Sequence, residues 1–291
     1  MNKCGFKGEK DKSVIKIMMI TYNRPEYVKL SIERLCGTAP ENLKITVWDN
    51  GSDTETRNIL KKYEGHRSVE QIIYNDKNEM LRIPTNWFWE KNPDADLLGK
   101  VDDDCLVPEN WISVLEEAHK DIPQAGILAC WHFLPQDFKR QLAEKKIQAF
   151  GKHQIMRNCW VGGSGYLMKR DVINRIGILR PKESFSDYCI RASAEGFING
   201  WYYPFLYQEH MDDPRTPHTA IRSEEDFQRL IPLSAKTFGI KTREQWIQRM
   251  MVSAMRLQEY SIDPYDFIGF GAWVNKKIAG ILRREYFPKV K

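Results

Sequence analysis

No apolar run in this chain is long enough to span a bilayer, and the first twelve residues, MNKCGFKGEKDK, are polar and charged. Neither a transmembrane helix nor a secretory signal peptide is indicated, so a cytosolic location is expected. The six cysteines, Cys4, Cys36, Cys105, Cys130, Cys159 and Cys189, are scattered with no C-x-x-C pair. That argues against a zinc knuckle or a disulfide framework and for buried free thiols. A G-x-x-x-x-G-K-[ST] loop and a G-x-G-x-x-G fingerprint are both missing, which weighs against phosphate-loop and dinucleotide-binding proteins. Repeats and low-complexity tracts do not stand out either. What is there is a 291-residue chain of formal net charge +5 and pI near 8.7, enough for one large domain with an appendage. So mild a basicity suits an anionic partner such as a nucleotide or an acidic membrane surface. It is too small to indicate nucleic acid, and none is expected.

The most telling residues present are Asp102, Asp103 and Asp104, which end an apolar stretch over residues 97–101 and precede Cys105-Leu106-Val107-Pro108. A strand running into consecutive aspartates puts Asp102 and Asp104 on the same side, roughly 7 Å apart by the strand rise. Such a pair repels itself unless a cation sits between. Hard oxygen ligands at a short strand end suit Mg2+ or Mn2+, ions that keep open positions for phosphate oxygens. A solvated acidic turn before a helix starting near Pro108 is the alternative, because acids also favour a helix N-terminus.

Strand and helix signals alternate through the first half. Residues 14–20 are apolar and β-branched, and they break at Thr21-Tyr22-Asn23-Arg24-Pro25 into a segment with Val28, Ile32 and Leu35 at helical spacing. The pattern repeats with residues 45–48 before Asp49-Asn50-Gly51-Ser52-Asp53, a polar helix towards Tyr63, then residues 71–74 and 97–101. Such alternation implies an α/β fold with a mostly parallel central sheet. Ligands of these sheets bind beyond the carboxyl ends of the strands, where the clusters at 21–24, 49–53 and 102–104 all fall.

In their order and spacing, the segments ITYNRPEYVKLSIERL, ITVWDNGSD, GKVDDDCLVPENW, WVGGSGYLMKRDVINRIGIL and SDYCIRASAEGF resemble the nucleotide-sugar glycosyltransferases of the GT-A fold, most closely the large inverting family 2. The resemblance spans residues 14 to about 212. It implies a Rossmann-like GT-A domain over residues 1–220, with a nucleotide-sugar half at about 13–107 and an acceptor half at about 108–220, followed by a C-terminal helical extension over 221–291. It also implies transfer of a sugar, with inversion, from a UDP- or dTDP-sugar to a glycan, lipid-linked or protein acceptor, with Mn2+ or Mg2+ as cofactor. By the same resemblance Thr21, Tyr22, Asn23 and Arg24 flank the donor base, with Arg24 reaching towards phosphate. Asp49 accepts a hydrogen bond from the base, Asn50 belongs to the turn that makes room for it, and Arg82 completes the donor-binding set. Asp102 or Asp103 contacts the ribose, while Asp104 and Asp102 hold the cation. Purely local readings also exist: Asn23 as cap of the next helix with Pro25 in its first turn, and Asn50-Gly51 as a turn signal.

On the acceptor side, Trp160, Gly162, Gly163 and Ser164 resemble the family's glycine loop, where missing side chains let backbone approach the sugar and Trp160 offers an apolar face. A bulged strand entry explains the same glycines. Inverting transfer needs a carboxylate to take the acceptor proton. The family's usual Glu-Asp pair is not present: its base position falls near Phe185, and the nearby carboxylates are Asp187 and, as runner-up, Glu183. Asp187 also reads as an i,i+4 partner of Arg191. His210, after a strand-like stretch at 201–206, matches a histidine that completes the metal site in many GT-A enzymes. Residues 214–218 read as a flexible basic linker able to close over a diphosphate.

Past residue 222, helical patterns put Phe227, Leu230, Ile231, Trp246, Met250, Val252 and Met255 in a core. Residues 273–287 read as a basic amphipathic helix that docks on the catalytic domain, on a second subunit or on an anionic membrane. A homo-oligomer and peripheral contact at the inner membrane face are therefore both open. Three rival functions remain: a sugar-nucleotide pyrophosphorylase, whose glycine-rich basic N-terminal loop this chain lacks; a noncatalytic nucleotide- or glycan-binding protein with a degenerate site; and a retaining transferase that needs no base at Asp187.

Overall fold

The computed structural model describes residues 13–282 and 285–290. The run after Val14 forms β1 (Ile15–Thr21), buried at every position, as a central strand covered on both faces must be. It is followed by α1 (Pro25–Gly37), β2 (Leu43–Asp49), α2 (Thr54–Lys61), β3 (Val69–Tyr74), α3 (Arg82–Lys91) and β4 (Leu97–Asp102). After the aspartates come the two-residue β5 (Cys105–Leu106), α4 (Trp111–Asp121), β6 (Ala125–Ala129), α5 (Arg140–Ala143), β7 (Ile147–Phe150), β8 (His153–Arg157) and β9 (Tyr166–Lys169). Then follow α6 (Arg170–Ile176), α7 (Phe185–Ala194), β10 (Ile198–Tyr203), β11 (Glu209–His210), α8 (Glu224–Arg229), α9 (Leu233–Thr237), α10 (Arg243–Glu259) and α11 (Gly269–Ile281).

The main sheet has nine strands in the order β3-β2-β1-β4-β9-β6-β10-β8-β7, and only β8 and β9 run against the rest. The two-residue period of β1 divides the core between the faces. Ile15, Ile17 and Met19 pack with Val28, Ile32 and Leu35 of α1 and Trp111 and Leu115 of α4. Met18 and Ile20 pack with Phe88 and Trp89 of α3, Tyr188 of α7, and Trp246 and Met250 of α10. The C-terminal helices thus share the core of the sheet, with Ile221, Phe227, Ala254 and Leu257 in the same cluster. Met255 departs from the core expectation, being 43% exposed on the outer side of α10. Cys36, Cys105, Cys130, Cys159 and Cys189 are buried and free, while Cys4 lies outside the described residues. Among the described residues no helix is long and apolar enough to cross a membrane.

Candidate active site at the carboxyl edge of the sheet

Sheet register brings the acidic clusters together. Thr21 pairs with Asp49 and Ile20 with Asp102, so β1, β2 and β4 end side by side at their carboxyl termini. Asp102 is the last residue of β4, and Asp103 and Asp104 make the turn into β5. There Cys105 pairs with His210 and Leu106 with Glu209 of β11, and the Met211 N–H donates to the Asp104 carbonyl at 2.8 Å. This short ladder carries His210 and Asp212 onto the aspartates.

Arg24 ties the cluster together. Its Nη2 donates to Asp103 Oδ1 (2.7 Å) and Asp104 Oδ2 (3.1 Å), and its Nη1 to both Asp212 oxygens (3.1 and 3.0 Å). Lys100, two residues before Asp102 and therefore on the same side of β4, ion-pairs with it. His210 Nε2 lies 3.8 Å from Asp104 Oδ2, beyond hydrogen-bond length. Four carboxylates therefore face three cationic side chains.

Burial raises the carboxyls of Asp102, Asp103 and Asp212, reinforced by the charge of Asp104; Asp103 is pushed up to about 6 and Asp212 to about 7 despite Arg24. Asp104 moves the other way: its burial opposes ionisation, but Arg24 and His210 hold it well below the usual carboxylate range. His210 is pushed up to about 9 against its burial by Asp104, Asp212 and Asp213. His132, edge-on to His210 with ring centroids 6.0 Å apart, is driven down to about 3 by burial and by the His210 charge.

These residues fit a divalent cation. Asp104, His210 and Cys105 bring an oxygen, a nitrogen and a sulfur within 4.8 Å of one another. The Cys105 thiol donates to Asp104 Oδ1 (3.2 Å), and burial pushes it well above its ordinary value, which makes it a poor ligand. The remaining oxygen and nitrogen donors suit Mn2+ or Mg2+. Nε2 is the ring nitrogen of His210 that faces Asp104, and its Nδ1 is buried without a hydrogen-bond partner.

The loop after β1 departs from its local reading. Asn23 and Arg24 both adopt left-handed backbone (φ 57° and 58°), and Arg24 takes the N-cap position of α1 with no side-chain cap. Asn23 instead locks this loop to the 50–53 turn: its N–H donates to Ser52 Oγ and its Oδ1 accepts from the Asp53 N–H, both at 2.9 Å. Tyr22 is 46% exposed, and its N–H donates to Asp103 Oδ2 at 3.1 Å. Asp49 is wholly buried and accepts from Arg57 Nε (2.9 Å), from the Ser52 N–H (3.2 Å) and, at the limit of bonding, from Thr21 Oγ1 (3.5 Å). Asp49 is thus closed to solvent by its own partners. Asn50 braces the 78–81 loop through Trp48 Nε1, the Glu79 N–H and the Met80 carbonyl, and beyond that loop Arg82 opens α3 on the exposed surface.

In the 160–165 loop, Ser164 Oγ accepts from the Asp102 N–H (2.9 Å) and from Gln208 Nε2 (3.2 Å). Its glycines make room for protein atoms. A Cβ on Gly162 would stand 2.8 Å from His132, and one on Gly165, whose φ is +63°, would overlap Gln208 Oε1; Gly163 has Lys100 Nζ at 4.0 Å. Trp160 is partly buried, and its ring packs edge-on against Tyr260 and Phe267 at 4.9 and 5.0 Å. The 214–218 segment is not a loose linker either: Arg215 bonds both Asp137 oxygens (2.9 and 2.7 Å) and both Asp213 oxygens (2.9 and 2.6 Å).

At the start of α7, Ser184 and Asp187 form a reciprocal capping box, in which Asp187 Oδ2 accepts from the Ser184 hydroxyl (2.7 Å) and N–H (3.2 Å). Arg191 does not pair with Asp187. It holds Glu183 in two parallel bonds (2.9 and 2.8 Å), which lower that carboxyl although burial raises it. Phe185 stacks on Tyr166 at 4.6 Å, and Tyr166 pairs with Lys100 across β9 and β4, so the start of α7 adjoins the Asp102 side of the cluster.

The sequence model for glycosyl transferase family 2 matches residues 16–177, more than half of the chain. The chain belongs to this family. An uncharacterized glycosyltransferase of Methanocaldococcus jannaschii is 34% identical over 73 residues, which span 24% of this chain and only 25% of that protein. Similar solved structures include the mannosyltransferase PcManGT of Pyrobaculum calidifontis, in complex with GDP-Man and Mn2+, at 15% identity and TM-score 0.57 over 94% of this chain and 81% of that one. GalNAc-T7, with UDP, GalNAc and Mn2+, is 11% identical with TM-score 0.53 over 84% and 58%. TarS of S. aureus is 12% identical with TM-score 0.50 over 83% and 80%. At these identities the likeness establishes the GT-A fold, and family 2 membership removes the pyrophosphorylase alternative.

Within this family 2 site, sequence reasoning missed Lys100, His132, Gln208 and the Asp212 contact with Arg24. Lys100 carried a usable signal, since the two-residue strand period puts it beside Asp102. Asp212 stood in view two residues after His210. Nothing local marks His132 or Gln208, whose positions follow from the packing of residues 130–132 against 206–208 and the 162–165 loop.

Proposed function

We propose that this family 2 glycosyltransferase moves a sugar from a UDP- or dTDP-sugar to a glycan, lipid-linked or protein acceptor in the cytosol, using Mn2+ or Mg2+ held by Asp104 and His210 with Asp102 alongside. The observation that carries this reading is the excess of carboxylate over cation at the strand edge, with His210 Nε2 3.8 Å from Asp104 Oδ2. When bound, the cation supplies positive charge that stabilises the departing diphosphate. Arg24 keeps Asp103 and Asp212 paired, Lys100 orients Asp102 towards a ribose hydroxyl, and the exposed Tyr22 ring and Arg82 flank the donor. GDP-Man in one similar structure and UDP in another leave the pyrimidine assignment to Asp49 alone.

For inversion we take Asp187 as the base, because Glu183 is committed to Arg191. Retaining transfer, which needs no such base, is the second reading; it is favoured by the engagement of Asp187 in its own helix cap. Calorimetry tests the core claim. UDP should bind with Mn2+ and not in chelator, binding should vanish in Asp104→Ala and weaken in His210→Ala, and equal binding with and without metal would overturn it. Competition among uridine, thymidine, guanosine and adenosine diphosphates tests the base. Release of nucleoside diphosphate from a panel of nucleotide sugars names the donor, and the anomeric configuration of the product decides between the two readings.

A further inference from the structure

Among the described residues no element covers the apolar face of α11. Of the 17 large hydrophobic side chains exposed among the described residues, seven fall between Tyr265 and Leu282. Ala272 is the buried residue of this helix. At 3.6 residues per turn, Phe270, Lys277 and Ile281 project away from it, with Trp273 on their flank. Phe270 and Ile281 are each 80% exposed, the Phe270 and Trp273 rings stack at 5.9 Å, and Lys277 Nζ lies 5.9 Å from the Trp273 ring. Concentrated apolar exposure of this kind marks an interaction surface.

Charge identifies the partner. Between Phe267 and Arg284 the sequence holds Lys276, Lys277, Arg283 and Arg284 and no acidic residue. Lys276 reaches back to the Phe267 carbonyl at 2.8 Å and so ties the helix to the domain. A second copy of the chain, meeting this face through a two-fold axis, would set like charges against each other. An anionic bilayer attracts every one of them.

We infer that α11 docks this protein on an anionic lipid bilayer, with Phe270, Trp273 and Ile281 entering the headgroup boundary and Lys277 meeting lipid phosphates. Docking is independent of the transfer reaction proposed above, although it is connected to that site: Phe267, just before α11, packs on Trp160 at the head of the loop whose Ser164 holds the Asp102 N–H.

Flotation of the full chain with vesicles tests the inference. Binding is expected to phosphatidylglycerol-containing vesicles and to be weak on pure phosphatidylcholine. It should fall roughly tenfold or more in Phe270→Ser/Trp273→Ser, and comparably in Lys277→Glu or at about 0.5 M salt. Both positions are exposed, so the double variant should melt like the wild type; should it fail to fold, Lys277→Glu alone carries the test. Equal flotation of wild type and Lys277→Glu, or no flotation of wild type, overturns the inference. A wild-type dimer dissolved by the double variant, without vesicle binding, overturns it in favour of a copy-to-copy interface.

Discussion

Lys146 is fully buried, and its Nζ donates to Asn158 Oδ1 (2.7 Å) and the Leu257 carbonyl (2.6 Å). Two acceptors are what a neutral amine can satisfy, whereas an ammonium brings a third N–H. Burial pushes this lysine down from 10.5 to about 7. An unfolded chain keeps the proton to about 10.4, so between these values the unfolded state binds more protons and stability rises with pH. Each pH unit of the gap is worth about 1.4 kcal/mol. With Lys146 half titrated near pH 7, the step from pH 7 to pH 9 should add about 2 kcal/mol to folding. Lys146→Met removes that contribution and leaves the two oxygens unpaired, so the variant should be less stable at pH 9 and show a flatter pH dependence. Urea unfolding in reductant, followed by tryptophan fluorescence for both proteins at pH 7 and pH 9, measures the difference. Wild type and variant gaining equally over this interval would refute a neutral Lys146 in the folded protein.

Gly165→Ala places a side chain on left-handed backbone, at about 1–2 kcal/mol, and displaces Gln208 from Ser164, at about 1 kcal/mol more; unchanged urea unfolding would contradict the close approach. Arg24→Met leaves Asp103, Asp104 and Asp212 without their shared partner and should cost about 3–5 kcal/mol. Mn2+ should then raise the Tm of this variant more than that of the wild type, and equal increments would count against a metal position at these acids. Asp187→Asn should lower turnover by roughly 10²-fold or more with donor binding intact, while Glu183→Gln should mainly lose stability by freeing Arg191. Near-normal turnover in folded Asp187→Asn would remove it as base.

The strands that build the site were legible because each is a short apolar run stopped by polar residues, and a parallel sheet brings such stops to one edge. Asp49 and Asp102–Asp104 were found on that basis, and the pairing of Ile20 with Asp102 and Thr21 with Asp49 agrees. Roles set by partners far along the chain were not legible. That Trp160 packs on Phe267, 107 residues later, could not be read from its own segment. Arg215 read as part of a loose linker because Asp137 lies 78 residues away. The glycine loop read as room for a sugar, whereas the atoms closest to Gly162 and Gly165 belong to His132 and Gln208, which the sequence cannot show.

The pairing of β5 with β11 has a consequence for how ligand and protein motion are joined. Each strand is two residues long, yet their ladder sets Asp104 and His210 beside each other from positions 106 residues apart. A ladder this short opens at little cost, and opening it separates the two side chains. Any ion that bridges them must therefore hold the ladder shut, adding a binding free energy that grows with ion concentration to the local opening free energy. Amide hydrogen exchange would register this directly. The Met211 N–H, bonded to the Asp104 carbonyl, should exchange more slowly as Mn2+ is added, while amides of the distant β7 and β8 hairpin keep their rates.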